Sequence, residues 1–450
     1  MLVFDNFKFS FTKDIKSTSE KFWRCTNRQC KATVHTLGSS NDIVITKHPG
    51  EHNHEANLAS LTRQVVSAAC KRKATEDLAE KPMKIIRQEL QRDLPSNLTT
   101  RDVQYIRHNM YNSRRRTLPT LPKNMKEVHI ALSSLNVVTA RNENFVLINN
   151  ERDNIIIFSC DTNINILKDV SRIYIDGTFR YCTKFFCQFF TIHGFVNGRY
   201  IPLIYCLLPS KSAEIYTKLF QLVIGACLSK RIDLNIIEVV VDFEKAIHLA
   251  ILNTWPNAKI VGCRFHLSQA WYRKIQTCGL VPEYKHEASE IGKWLKLTFA
   301  LMYLDPTEVG ECFALELSEN MPQDPRVVKY ADYLVDTYIS EESLFPPIIW
   351  AEHSSTITRT TNACESFHSN FNNSIYAEHP NLFVFVEKLK EFQTDTYIKI
   401  QSLQKPIQIH DMKVKKRQKF IESMIIKYQN KEINRLHFMK CLSFHCYVNK

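Results

Sequence analysis

Two short apolar runs, each closed by an aspartate, constrain the fold of this chain more than any other feature. Ile173, Tyr174 and Ile175 lead into Asp176, and residues 236–241 (Ile-Ile-Glu-Val-Val-Val) lead into Asp242. Runs this short and this rich in β-branched residues read as strands buried on both faces. A chain that carries them needs a sheet with helices covering it.

The flanking pattern supplies both. Residues 146–149 and 155–158 suggest a short hairpin, and strands follow at 185–195 and 200–208 around an Asn197-Gly198 turn. Residues 212–228 carry apolar side chains at helical spacing; 243–255 read as a second helix and 259–265 as a fifth strand. The order strand, strand, strand, helix, strand, helix, strand predicts an α/β fold, a ribonuclease H-like mixed sheet. From 271 to about 345 the runs 291–303, 308–317 and 327–338 read as helices, an all-helical insertion. The expected division is a small β-rich zinc finger at 1–56, a helical basic linker at 57–140, the sheet domain with its insertion at 141–375, and a helical basic C-terminal segment at 376–450.

In this order Asp176 lies on the first strand and Asp242 at the end of the fourth, adjacent at the sheet centre. Glu365 falls on a helix after the insertion, within Asn362-Ala-Cys-Glu365-Ser-Phe-His368. Each acid alone has an ordinary explanation: a turn residue before Gly177, a helix N-cap, a surface glutamate. Together, on those elements in that order, they predict a carboxylate site for Mg²⁺ or Mn²⁺ and phosphodiester chemistry on a nucleic acid. Glu244 is the nearest rival to Asp242. Cys263 and His266, spaced Cys-x-x-His at a strand end, are expected either beside the acids, contacting DNA ends, or as a buried thiol and a hydrogen-bonded imidazole. His368, one helical turn after Glu365, is expected to approach a phosphate or to orient Glu365.

The first segment is too small to hold a core without a staple. Four residues separate Cys25 from Cys30, and one separates His52 from His54. Two thiolates and two imidazoles at paired short spacings suit tetrahedral Zn²⁺. The His-x-His pair belongs on extended backbone, not on a helix. Beyond it, residues 98–116 predict a helix ending in Arg114, Arg115 and Arg116, and 84–90 another before it. These helices either track DNA phosphates or form a linker with a solvated basic face. Pro119 and Pro122 mark a boundary. The basic run at 413–419 is a nuclear-localisation or phosphate-binding patch or a solvated helix face.

The balance of 59 Lys and Arg against 46 Asp and Glu, a formal +13, favours a polyanionic partner. No N-terminal apolar region reads as a signal peptide, and no run is long enough to span a membrane. The expectation is a soluble intracellular protein, whose fourteen cysteines are mostly thiols or metal ligands.

Phe22-Trp-Arg-Cys25 with Cys30 and His52-Asn-His54 resembles a FLYWCH-type zinc finger. Asp176-Gly-Thr-Phe179, Asp242-Phe-Glu244, Cys263-Arg-Phe-His266 and Asn362-Ala-Cys-Glu365-Ser-Phe-His368 resemble the Mutator-like element (MULE) transposase domain. The resemblance implies cut-and-paste DNA transposition by a DDE-type triad of Asp176, Asp242 and Glu365, with catalytic Mg²⁺ or Mn²⁺ and structural Zn²⁺. It implies DNA as the partner, homo-oligomers at the DNA ends, no membrane, and a nuclear location. The finger is expected to recognise DNA or to bind a protein. The alternative is a non-catalytic DNA-binding regulator derived from a transposase.

Overall fold

The computed structural model describes residues 2–38, 43–92, 98–179, 181–353, 361–404 and 412–443. They fall into two units, Met1–Leu121 and Pro122–Lys450.

The first unit opens with five strands, β1 (Leu2–Phe4), β2 (Phe7–Ile15), β3 (Glu20–Cys25), β4 (Thr33–Leu37) and β5 (Val44–Lys47), paired antiparallel in chain order. One face of this curled sheet buries Phe9, Trp23, Cys25 and Val34. Trp23 satisfies its indole N–H on Thr36 Oγ1 at 2.8 Å. Three helices follow, α1 (Leu58–Glu76), α2 (Pro82–Arg92) and α3 (Thr100–Thr117). They close a core of Cys70, Ala74, Ile85, Ile86, Ile106 and Met110. Thr99 opens α3 with a capping box to Asp102.

Arg114 corrects the sequence reading. Apolar periodicity turns this position into the three-helix core, where it is 3% exposed. Its Nε donates to Ala74 O at 2.9 Å, and its Nη2 donates to Asp77 O and Glu80 O at 2.8 and 2.7 Å. A guanidinium spent on the carbonyls between α1 and α2 does not reach a phosphate. Arg115 and Arg116 are exposed.

The second unit is built on a seven-stranded mixed sheet. In chain order its elements are α4 (Met125–Ser134), β6 (Val146–Asn150), β7 (Ile155–Phe158), α5 (Asp161–Leu167), β8 (Arg172–Thr178), β9 (Gln188–Val196), β10 (Arg199–Leu208), α6 (Ala213–Ser229), β11 (Glu238–Val241), α7 (Lys245–Thr254) and β12 (Lys259–Gly262). The spatial order is β12-β11-β8-β9-β10-β7-β6. β8, β11 and β12 run parallel; the remaining pairings are antiparallel. Asn197 and Gly198, with φ of 48° and 76°, make the tight turn between β9 and β10.

Alternate side chains enter two cores, as the pleat requires. Ile155, Ile157, Ile173 and Ile175 pack with Tyr216, Leu219, Phe220, Ile247 and Ile251 of α6 and α7. Ile156, Phe158, Phe189, Tyr205 and Leu207 pack on the opposite face. That face is covered by α4 and by two later helices described below.

The fifth strand is shorter than its sequence pattern predicts. β12 stops at Gly262, and α8 (Arg264–Thr277) starts two residues on, with Cys263 as its N-cap residue. A Cβ at Gly262 would stand 2.5 Å from the Phe243 ring, so the strand ends against an aromatic wall. From 264 to 350 the regular elements are all helices, continuing as α9 (Val281–Lys285), α10 (Glu290–Ala300), α11 (Val309–Cys312), α12 (Pro325–Leu334) and α13 (Pro347–Trp350).

Then come α14 (Asn362–Ser374), α15 (Leu382–Gln401), α16 (Met412–Gln429) and α17 (Arg435–Ser443). The C-terminal residues are not a separate layer. Phe367 and Phe371 of α14 and Leu382, Phe385 and Leu389 of α15 cover the sheet. Ile421, Met424, Phe438 and Met439 complete the insertion core around Trp271 and Trp350. In the basic run, the Lys413 and Lys415 side chains lie outside the described residues. No helix among the described residues is long and apolar enough to cross a membrane.

Arg114→Ala removes three hydrogen bonds to buried or half-buried carbonyls. The first unit should lose about 2–4 kcal/mol of stability, read by thermal or urea denaturation.

Candidate functional site

Among the described residues, two clusters of ligand-type side chains form, one in each unit. In the first, Cys25 ends β3 and Cys30 follows a turn closed by Cys30 N–H on Asn27 O at 3.0 Å. His52 and His54 approach on non-helical backbone past β5. Cys25 Sγ lies 3.3 Å from His54 Nε2, and Cys30 Sγ lies 3.3 Å from His52 Nδ1. All four ligand atoms fall within 4.8 Å of one another. Tetrahedral zinc with bonds of about 2.3 Å to sulfur and about 2.0 Å to nitrogen sets S and N about 3.5 Å apart. The donor set therefore fits Zn²⁺. His54 Nδ1 lies 2.9 Å from Glu55 O, an arrangement that orients a ligating imidazole. His52 stacks on Phe7 at 3.6 Å. Burial pushes the Cys25 thiol up and the His52 imidazole down. Both shifts are costs of a buried polar cluster that a bound cation offsets.

In the second unit, the register between β8 and β11 pairs Tyr174 with Val240. Asp176 and Asp242 each stand two residues further on, so the same register carried forward sets them opposite one another. Neighbouring strands run about 4.8 Å apart. Both aspartates line one narrow cleft with Gly177, Gln188, Lys211, Tyr216 and Glu244. Gly177 N–H donates to Asp176 Oδ1 at 2.9 Å. A side chain at Gly177 would meet Gln188 Oε1 at 2.8 Å, so glycine keeps the cleft wall close. Burial pushes the Asp176 carboxyl up to about 7, opposed by His266 and reinforced by Glu365 and Asp242. Asp242 is pushed up by burial as well.

Glu365, on the first turn of α14, approaches from the covering helix. Cys364 beside it packs against Tyr174, Val240 and Val261 of the three parallel strands. Burial pushes Glu365 up, and its Oε1 lies 3.4 Å from His266 Nε2, outside hydrogen-bond geometry. Cys263, His266 and Glu365 place their ligand atoms within 4.8 Å of one another. Thr361, which precedes α14, donates its N–H and its hydroxyl to Cys263 Sγ, each at 3.2 Å. Burial alone would lower His266, but Cys263, Asp176 and Glu365 outweigh it and carry the imidazole to about 9. His266 is thus a counter-charge shared by Asp176, Asp242 and Glu365. Cys263 directly follows the end of β12 as the N-cap residue of α8, and His266 lies in the first turn of α8.

His368 departs from both of its expected roles. It is 4% exposed, and burial lowers it to about 4, leaving it neutral. Its Nε2 lies 3.9 Å from Asp176 Oδ2 and 3.0 Å from Thr191 Oγ1. It therefore supports Asp176 from behind and neither orients Glu365 nor faces solvent. Glu244 shares the cleft, but Tyr216 OH donates to one of its oxygens at 3.1 Å and Lys211 Nζ to the other at 3.3 Å. Lys211, Tyr216, Gln188 and Thr361 escape sequence reasoning, because none of them is itself an acid, a Cys or a His and only the fold brings them to the cleft or to Cys263.

The comparison with family models decides the class of these two regions. Residues 172–270 match the MULE transposase domain, and residues 1–54 match the FLYWCH zinc finger domain. A search of curated proteins gave no match. The transposase-domain match contains Asp176, Asp242, Cys263 and His266; Glu365 and His368 lie beyond it. The two matches support a transposase-like, DNA-binding protein, and with the Cys25, Cys30, His52, His54 cluster they support structural zinc in the finger.

Cys25→Ser should release the finger's zinc and unfold residues 1–54, read by metal analysis and circular dichroism; retained stoichiometric zinc would refute the ligand set. Asp176 gives a pH test. Its carboxyl sits near 7 in the folded chain against an ordinary 3.8, so the folded state holds the proton more tightly. Stability is then lost as pH rises from about 4 to about 7. In chelator-treated protein, Asp176→Asn should be more stable than wild type at pH 8 by an amount on the order of a few kcal/mol, and the gap should close by about pH 4.

Proposed function

We propose that this protein is a DNA transposase of ribonuclease H-like fold that cuts and joins DNA in the nucleus, with Asp176, Asp242 and Glu365 as its catalytic acids. One observation carries the reading. Asp176 and Asp242 line one cleft from neighbouring parallel strands, and Glu365 lies 3.4 Å from His266, whose charge acts on both aspartates.

Three carboxylates whose charge is opposed by burial are a donor set for a hard divalent cation, so the residues fit Mg²⁺ or Mn²⁺. When bound, such ions activate a water or a 3′-hydroxyl and stabilise the leaving oxygen. The chain's own groups prepare that chemistry. Gly177 N–H and His368 hold Asp176 in place. Glu244 is tied to Tyr216 and Lys211, which leaves Asp242 as the acid facing Asp176. His266 balances negative charge at the site. The finger and the basic surface supply affinity for DNA through phosphate contacts.

The test is Mg²⁺- or Mn²⁺-dependent cleavage of DNA carrying the flanking element's terminal repeats. Asp176→Asn and Glu365→Gln should each lower cleavage by about a hundredfold or more while binding DNA as wild type does. A folded, zinc-loaded, DNA-binding wild type that cuts nothing would sink the catalytic reading in favour of a transposase-derived regulator.

A further inference from the structure

Val103, Ile106, Met110 and Arg114 turn one side of α3 into the three-helix core. On the side turned away, Arg101, Tyr105, His108, Asn112, Arg115 and Arg116 are all exposed. Their spacing of three and four residues puts them on one stripe, about 22 Å long. The stripe contains no acid. Asp102, the acid of α3, is taken up by the Thr99 cap and by Arg63 Nη1 at 3.0 Å.

The chemistry of the stripe is that of base and phosphate recognition. Arginine pairs with guanine O6 and N7, asparagine with adenine N6 and N7, and both edges lie in the major groove. A helix about 10–12 Å across fits a groove about 12 Å wide. The helix is also held ready. Arg101 Nη2 donates to Tyr105 OH at 3.3 Å, and the guanidinium groups of Arg63 and Arg101 lie 5.6 and 5.7 Å from the Tyr105 ring. Arg63, Arg101, Asp102, Tyr105 and Asn109 line a cleft between α1 and α3 that is open beside the stripe. At the far end, the buried Arg114 pins α3 to the carbonyls of Ala74, Asp77 and Glu80. Ordering costs on binding are correspondingly small.

We propose that α3 docks in the major groove of duplex DNA, with Arg101, Tyr105, His108 and Asn112 toward the base edges and Arg115 and Arg116 on phosphates. This surface shares no residue with the zinc cluster or the acidic cleft, so it stands whether or not the protein cuts DNA.

The test uses the full chain and a pool of random 24-base-pair duplexes, followed by fluorescence anisotropy across a salt series. Arg101→Ala/Asn112→Ala should weaken binding about tenfold or more. Arg115→Ala/Arg116→Ala should lower the slope of log affinity against log salt by about 2. Methylating guanine N7 throughout the pool should weaken wild-type binding, and weaken the Arg101→Ala/Asn112→Ala variant less. Arg101→Lys should keep the salt slope and lose base selectivity in a sequence-selection experiment, which separates recognition from charge. Circular dichroism and zinc content confirm that each variant is folded. Wild-type affinity and slope in both double variants would overturn the proposal. So would equal sensitivity of wild type and variant to N7 methylation, or binding of poly-glutamate as tight as binding of duplex, which would make the stripe a docking face for an acidic protein.

Discussion

The parallel pairing of β8 with β11 is the contact on which the rest of the second unit depends. Parallel neighbours cannot be joined by a tight turn. The chain between them must cross over, and here it does so through β9, β10 and α6. The helices α6 and α7 bury one face of the strands and α14 packs on the other, which explains why Ile173, Tyr174 and Ile175 are all apolar or aromatic and all buried. The same pairing brings Asp176 beside Asp242. An ion pair between Arg172 and Glu238 ties the two strands at their opposite ends. Register, burial and the acidic cleft are one constraint seen at three scales.

Burial gives both clusters their character. A carboxylate or thiolate withdrawn from water loses hydration that a neighbouring cation must replace. In the finger, two cysteines and two histidines meet within ligand distance among the rings of Phe7 and Phe9. In the sheet unit, Glu365 lies 3.4 Å from the His266 imidazole, which is raised in turn by Cys263, Asp176 and Glu365. Thr361 and Thr191 add polar support from α14's entry and from β9. The acids are therefore held by the layers that also close the core. A mutation in α14 touches packing and chemistry together: Cys364 packs on the strands, and Glu365 faces His266.

Much of this was legible in the sequence because local pattern and burial agree there. The runs ending at Asp176 and Asp242, the Asn197-Gly198 turn and the helical stretch before residue 350 all carry their structure in their own periodicity. The Cys and His pairs announce themselves by spacing. Where local pattern and tertiary packing diverge, the reading slips. The run 259–265 is apolar enough for a longer strand, but Gly262 meets Phe243 and the backbone turns into α8. Arg114 belongs to a triple arginine that looks like a phosphate clamp. Helical phase alone separates it from Arg115 and Arg116 and sends it into the core.

The sequence by itself determined the types and order of elements, the Cys and His pairs of the first unit, and the basic character of α3, because these depend on residue type and short-range spacing. Tertiary structure decided how distant residues meet. It paired β8 with β11, returned α14 across the sheet so that Glu365 reaches His266, and used α16 and α17 to finish the insertion core. It also turned His368 toward Asp176 instead of Glu365. Those outcomes rest on contacts between residues 66 or more positions apart, the separation of Arg172 and Glu238, whose free energy depends on shared burial and leaves no periodic trace in either segment.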